Sequence, residues 1–129
     1  MKALEEARLR RGAALFNDAA FFEAHEVWED AWREAAGETR RLLHGLIQIA
    51  AGFVKLQRGE PRGALALLAR GTAKLEEVPA DSAGLDIETL LREVAAWRVT
   101  VGRMLERGER AYDAAALPRL AFRRRKEWV

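Results

Sequence analysis

The sequence predicts an all-α fold, a compact bundle of about five helices, on three observations. Apolar residues recur at helical spacing through nearly every segment. No run shows the alternating β-branched and aromatic pattern of a strand. Glycine and proline fall between the periodic segments, and the connections before residue 79 are short enough to make successive helices antiparallel neighbours.

The elements follow in order. A first helix over roughly residues 2 to 16 carries Leu9, Ala13 and Phe16 on one stripe, and Asn17 or Asp18 is expected to cap the next. The second helix runs to about Ala36, where Gly37 stops it, and a third extends from about Thr39 to Gln57 before Gly59. Pro61 opens a fourth helix as an N1 proline does, and that helix reaches about Val78. The segment PADSAGLD is the one convincing loop, holding Ser82, the only serine, and Asp86, the expected cap of a fifth helix that ends near Gly108. Pro118 closes any last turn. A tail from about 118 to 129 follows, with Arg119, Arg123, Arg124, Arg125 and Lys126 against Glu127, and ends near Trp128, either docked by its apolar residues or frayed. Gly52, Ala64, Leu68 and Gly71 give helices three and four a loose likeness to a tetratricopeptide hairpin, but a solenoid needs about three repeats and only one is present, so local packing is the reading.

Composition narrows the function classes. The chain has 129 residues, 50% hydrophobic and 33% charged, which fits one globular domain over 1–129. With no cysteine there is no disulfide framework and no thiolate metal site, so a metal would rest on His, Asp and Glu. The amino-terminal residues are too charged for a signal peptide, and no apolar run approaches the roughly 20 residues of a membrane span, so the expectation is a soluble, unprocessed cytoplasmic protein. A net charge of +2 does not single out nucleic acid as a partner. The phosphate-loop, dinucleotide and serine-nucleophile signatures are absent from the sequence.

The informative residues are polar groups in apolar places. On the second helix, Phe21, Trp28, Trp32 and Ala35 share a stripe with His25 in its middle and Glu29 at its edge, so His25-x-x-x-Glu29-x-x-Trp32 aims an imidazole and a carboxylate at one region. Such an i, i+4 pair serves as half of a metal site, as an oriented general base, or as a buried hydrogen-bonded pair. HEVWE is half of a zincin motif only, since Glu29 stands where the second histidine belongs, and Glu26 points about 100° away from His25.

The third helix is apolar around most of its circumference and is expected to be central. Its narrow polar sector holds Arg40, Arg41, His44, Gln48, Lys55 and Arg58, with His44 and Gln48 as natural partners for His25 and Glu29 unless the sector faces water. Gly45 and Gly52, nearly on one face, permit close helix approach and offer room for Trp28 or Trp32. On the fifth helix Arg98 sits inside the apolar stripe; it either snorkels to water, pairs with an acid such as Glu29, or binds an anionic ligand.

The segments HEVWEDAW and HGLIQIAAGFVKLQRGEPRGALALL resemble domain-of-unknown-function family 309, small all-helical proteins of bacteria and archaea. The likeness covers roughly residues 13 to 75, and its hallmark HxxxExxW is present as His25, Glu29 and Trp32, with Gln48 in the GLIQ segment that follows. His44 stands where the family more usually has Gln, which leaves His25, Glu29 and Gln48 as the core set. The resemblance implies an orthogonal helical bundle with a site around the motif, and no assigned activity.

The expectation is therefore a non-enzymatic domain binding a small molecule or a partner's side chain in a polar pocket of His25, Glu29, Trp32 and Gln48, flanked by His44 and Arg98. One alternative is a metal-assisted hydrolase with His25 and Glu29 as ligands, weakened by ligand count; no cofactor is otherwise implied. The other is a protein-interaction module, including a homodimer, built on the hairpin of helices three and four.

Overall fold

The computed structural model describes residues 1–123 of the chain. Five α-helices, α1 (Ala3–Asn17), α2 (Phe21–Glu34), α3 (Gly37–Gln57), α4 (Pro61–Leu75) and α5 (Ile87–Arg107), account for most of them, with 3-10 turns at Ser82–Gly84 and Ala114–Ala116. They form an all-α bundle. Helix α3 is at its centre, packed between α2 and α4, while α1 lies on α2 and α5 on α4. Eleven of the 21 residues of α3 are buried, so a single face of it remains for polar side chains.

Two glycine contacts set the spacing of the helices. Gly45 and Gly71 lie against one another: a Cβ on Gly71 would stand 3.0 Å from the Gly45 carbonyl oxygen and 2.7 Å from Ile49 Cδ1. A Cβ on Gly45 would meet Leu75 Cδ2 at 2.7 Å, and one on Gly52 would meet Leu68 Cδ2 at 2.8 Å. The missing side chains of Gly45 and Gly52 thus admit leucines of α4, not the tryptophans of α2 that their spacing suggested. The glycine that accommodates Trp28 is Gly12 on α1, whose Cβ position is already filled by the indole. Through that gap Trp28 Nε1 donates to the Leu9 carbonyl at 3.1 Å, which gives a fully buried ring its one polar partner.

Aromatic rings continue the core. Phe16 meets Phe21 edge-on at 4.9 Å, Phe21 stacks on Phe53 at 5.1 Å, and Phe53 meets the edge of Trp97 at 5.9 Å. The series joins α1, α2, α3 and α5 by contacts that favour these offset and edge geometries.

Most punctuation acts as expected. Pro61 opens α4, the Asp86 side chain accepts from Thr89 N at 3.1 Å to cap α5, and Gly108 ends α5 with a left-handed φ of 66°. Helix α4 stops at Leu75, one turn short of Val78. The expected cap of α2 is different: its N-cap is Ala20, with no side-chain hydrogen bond. Asn17 instead closes α1 and exchanges two hydrogen bonds with Leu120, accepting from its N–H at 2.6 Å and donating to its carbonyl at 2.9 Å. The loop serine is anchored: Ser82 is buried and donates to Glu38 at 2.9 Å.

The segment after α5 folds back as a clasp. Leu120 is buried, Leu85 and Phe122 form an isolated antiparallel bridge, and Arg123 pairs with Asp86 at 3.3 Å and Glu88 at 3.2 Å. The tail is therefore docked through Arg123; Arg124, Arg125, Lys126, Glu127 and Trp128 lie outside the described residues. Among the described residues no helix is long and apolar enough to cross a membrane.

The glycines give a paired test. Gly12→Ala forces a methyl group into the Trp28 ring and should destabilise by about 1–3 kcal/mol. Gly102→Ala meets nothing within 4 Å inside α5 and should stabilise by about 0.5–1 kcal/mol through helix propensity. Urea unfolding measures both, and shifts of the same sign would contradict the packing described.

Candidate functional site

Helix α2 buries Phe21, Ala24, Trp28 and Ala31, which turns His25, Glu29 and Trp32 toward the edge of the core instead of its middle. Helix α3 runs antiparallel beside that edge. The polar sector of α3 meets it: His44 and Gln48 are half-buried, as are Arg40 and Lys55, while Arg41 and Arg58 reach solvent. The expected residues are thus laid along one seam, but they divide between its two ends.

At one end is the HxxxE pair. His25 Nε2 lies 3.7 Å from Glu29 Oε2, both side chains partly exposed at 25% and 37%. The Phe22 ring stacks beside the imidazole at 6.1 Å between centroids. His25 Nδ1 is buried and has no hydrogen-bond partner. A shallow concavity of about 150 Å³ adjoins it, lined also by Phe22, Ala51, Val54, Lys55 and Leu67. Gln48, one turn beyond His44 on α3, buries Oε1, also without a partner, so His25 and Gln48 are not hydrogen-bonded to each other through these atoms.

At the other end Trp32 faces His44, ring centroids 5.5 Å apart and planes tilted by 49°. Arg40 lays its guanidinium over the Trp32 ring, with Cζ 4.0 Å from the ring centroid. The same guanidinium donates through Nη1 to the carbonyls of Trp32 at 3.0 Å and Ala35 at 3.3 Å, satisfying the carboxyl end of α2. These groups border a cavity of about 360 Å³ together with Gly37, Arg41, Lys74 and Glu77. Arg41 and Glu77 pair at its rim, 3.3 Å apart.

The His44 pKa lies below the ordinary histidine value of 6.5, first because burial disfavours the imidazolium, then because Lys74 and Arg40 repel it. At neutral pH His44 is an uncharged imidazole between two cations. Lys74 is the residue that sequence reasoning passed over. It is brought to the cavity by the Gly45–Gly71 contact, since His44 precedes the one glycine and Lys74 follows the other by three residues.

Arg98 takes the first of its three expected options. It is exposed on α5, and α5 packs against α4, so it is not part of the α2–α3 seam. For metal binding, His25 and Glu29 would supply two ligands; among the described residues no group of three or more His, Asp or Glu side chains is placed to hold an ion. The arrangement suits hydrogen bonding and charge at the Trp32 end, and at the Phe22 end aromatic packing beside Lys55 and Arg58.

The His44 shift carries a sign for stability. The folded pKa is lowered, so its contribution is fully present above about pH 6.5 and is lost as pH falls toward the folded value. Wild type should lose urea stability between about pH 7.5 and 5.5 more steeply than His44→Gln. Parallel pH profiles for the two proteins would contradict the neutral, repelled imidazole.

No curated protein matches the chain. A family model described as a domain of unknown function, DUF309, matches residues 9–67, which span α1 from Leu9 through the first half of α4 and include His25, Glu29, Trp32, His44 and Gln48. Over that stretch, a little under half of its length, the chain is similar to the DUF309 family.

Proposed function

We propose that the domain is a non-enzymatic binding module that takes a small ligand into the α2–α3 seam beside the HxxxExxW motif. The observation that carries this reading is the cavity where Trp32 faces His44. Its volume of about 360 Å³ is toward the lower end of the range used for small molecules. An aromatic wall, a neutral imidazole and a guanidinium held by backbone carbonyls around one concavity provide both apolar area and oriented polar groups.

Two details favour binding over chemistry. The lining holds no hydroxyl or thiol that His44 could activate as a nucleophile. The Arg40 guanidinium is held by carbonyls and by the Trp32 ring, a fixed arrangement that lowers the ordering cost of recognition. The buried, unpartnered Nδ1 of His25 and Oε1 of Gln48 extend hydrogen-bonding capacity along the same seam.

A fragment screen by protein-observed NMR on the full chain tests the proposal. Fragments should shift the Trp32 indole and His44 imidazole resonances, and Trp32→Ala should abolish those responses while the protein remains folded. Hits confined to other surfaces, or affinities unchanged in Trp32→Ala, would overturn it.

A further inference from the structure

The cavity at Trp32 also indicates what kind of ligand fits it. Three cations, Arg40, Arg41 and Lys74, line it against one carboxylate, Glu77. Glu77 is engaged with Arg41 at 3.3 Å. Among the described residues no carboxylate oxygen lies within 4 Å of Arg40 or Lys74. The nearest acid of the motif, Glu29, is turned to His25 at the other end of the seam. Two positive charges therefore border one open concavity, and among the described residues neither has a carboxylate in ion-pair contact.

We propose that this cavity binds a small oxyanion, a phosphate or carboxylate group, between Arg40 and Lys74 and against Trp32. The inference rests on the reading of the seam as a binding site and names its ligand class. Each lining group has a part in it. Arg40 spends Nη1 on the two carbonyls that end α2, and its planar fork has further donors suited to paired oxygens. Lys74 adds a mobile point charge from α4. Helix α3 starts at the cavity with Gly37 and has no side-chain cap.

His44 makes recognition pH-dependent. The charged groups around it are Arg40 and Arg41 on its own helix, Lys74 on α4 and Glu77 just beyond α4, while α2 presents the uncharged Trp32. Without ligand, burial and the two cations keep the imidazole neutral. A bound oxyanion offsets that repulsion, so the imidazole gains a proton and becomes a third donor to the ligand. Binding then takes up a proton and strengthens as the pH falls.

The test uses the full chain labelled for NMR, titrated separately with inorganic phosphate and with acetate, against sodium chloride at matched ionic strength. The expected result is saturable movement of the Trp32 indole and Gly37 amide signals, with the His44 titration midpoint rising by about one unit at saturation. Lys74→Met keeps the aliphatic stem, breaks no ion pair, and should weaken binding about tenfold. Response to phosphate alone or to acetate alone identifies the group that the site selects. A His44 midpoint unmoved by either anion, or undiminished binding in Lys74→Met, overturns the oxyanion assignment. If neutral fragments still shift Trp32, the cavity stands as a binding site for another class; if no probe shifts Trp32 or His44, both readings fall.

Discussion

The close approach of α3 and α4 at Gly45 and Gly71 is the constraint on which the rest of the arrangement depends. With a carbonyl 3.0 Å from where the Gly71 Cβ would stand, neither helix has room for a larger side chain there. The contact lets Leu75 and Leu68 interlock with α3 and makes that helix the buried axis of the bundle. It also fixes a register. Because His44 adjoins one glycine and Lys74 lies one turn beyond the other, the packing that closes the core delivers an ammonium group to the cavity.

Two tryptophans one turn apart on α2 divide the labour of core and site. Trp28 is sealed, with its indole N–H committed to the Leu9 carbonyl and its ring set into the gap at Gly12. Trp32 is only partly buried; its ring meets an imidazole and a guanidinium, and the guanidinium also donates to backbone carbonyls. A rigid first ring anchors the helix that presents the second. The Trp32 end of the seam is thus positioned by a helix anchored in the core and by a guanidinium already held by backbone carbonyls.

Helix number, order and most termini are readable from the sequence because they follow from local causes: apolar spacing, Pro61 at a helix start, Asp86 as a cap and Gly108 in a left-handed conformation. The family motif is local too, and His25, Glu29 and Trp32 lie on one helix as its spacing requires. What depends on the register between helices is not readable that way. His44 belongs opposite Trp32 and not beside His25, and this follows from how far α3 slides along α2. Lys74 enters through a glycine contact whose two halves are 26 residues apart, and the role of Asn17 is hidden because its partner is Leu120. Arg98 shows the limit of a helical wheel: its place within an apolar stripe still allows the long side chain to reach water.

The clasp between Asn17 and Leu120 has a consequence for the order of assembly. Those residues are 103 positions apart, so their two hydrogen bonds enclose nearly the whole described chain and form only when its last segment has been synthesised. Helices α1 to α4 can associate through neighbouring contacts as they emerge from the ribosome, whereas the turn between α1 and α2 must wait for its final partner. The nascent chain therefore carries an open first corner until α5 and the segment that follows it have been made, and a contact distant in sequence closes that corner.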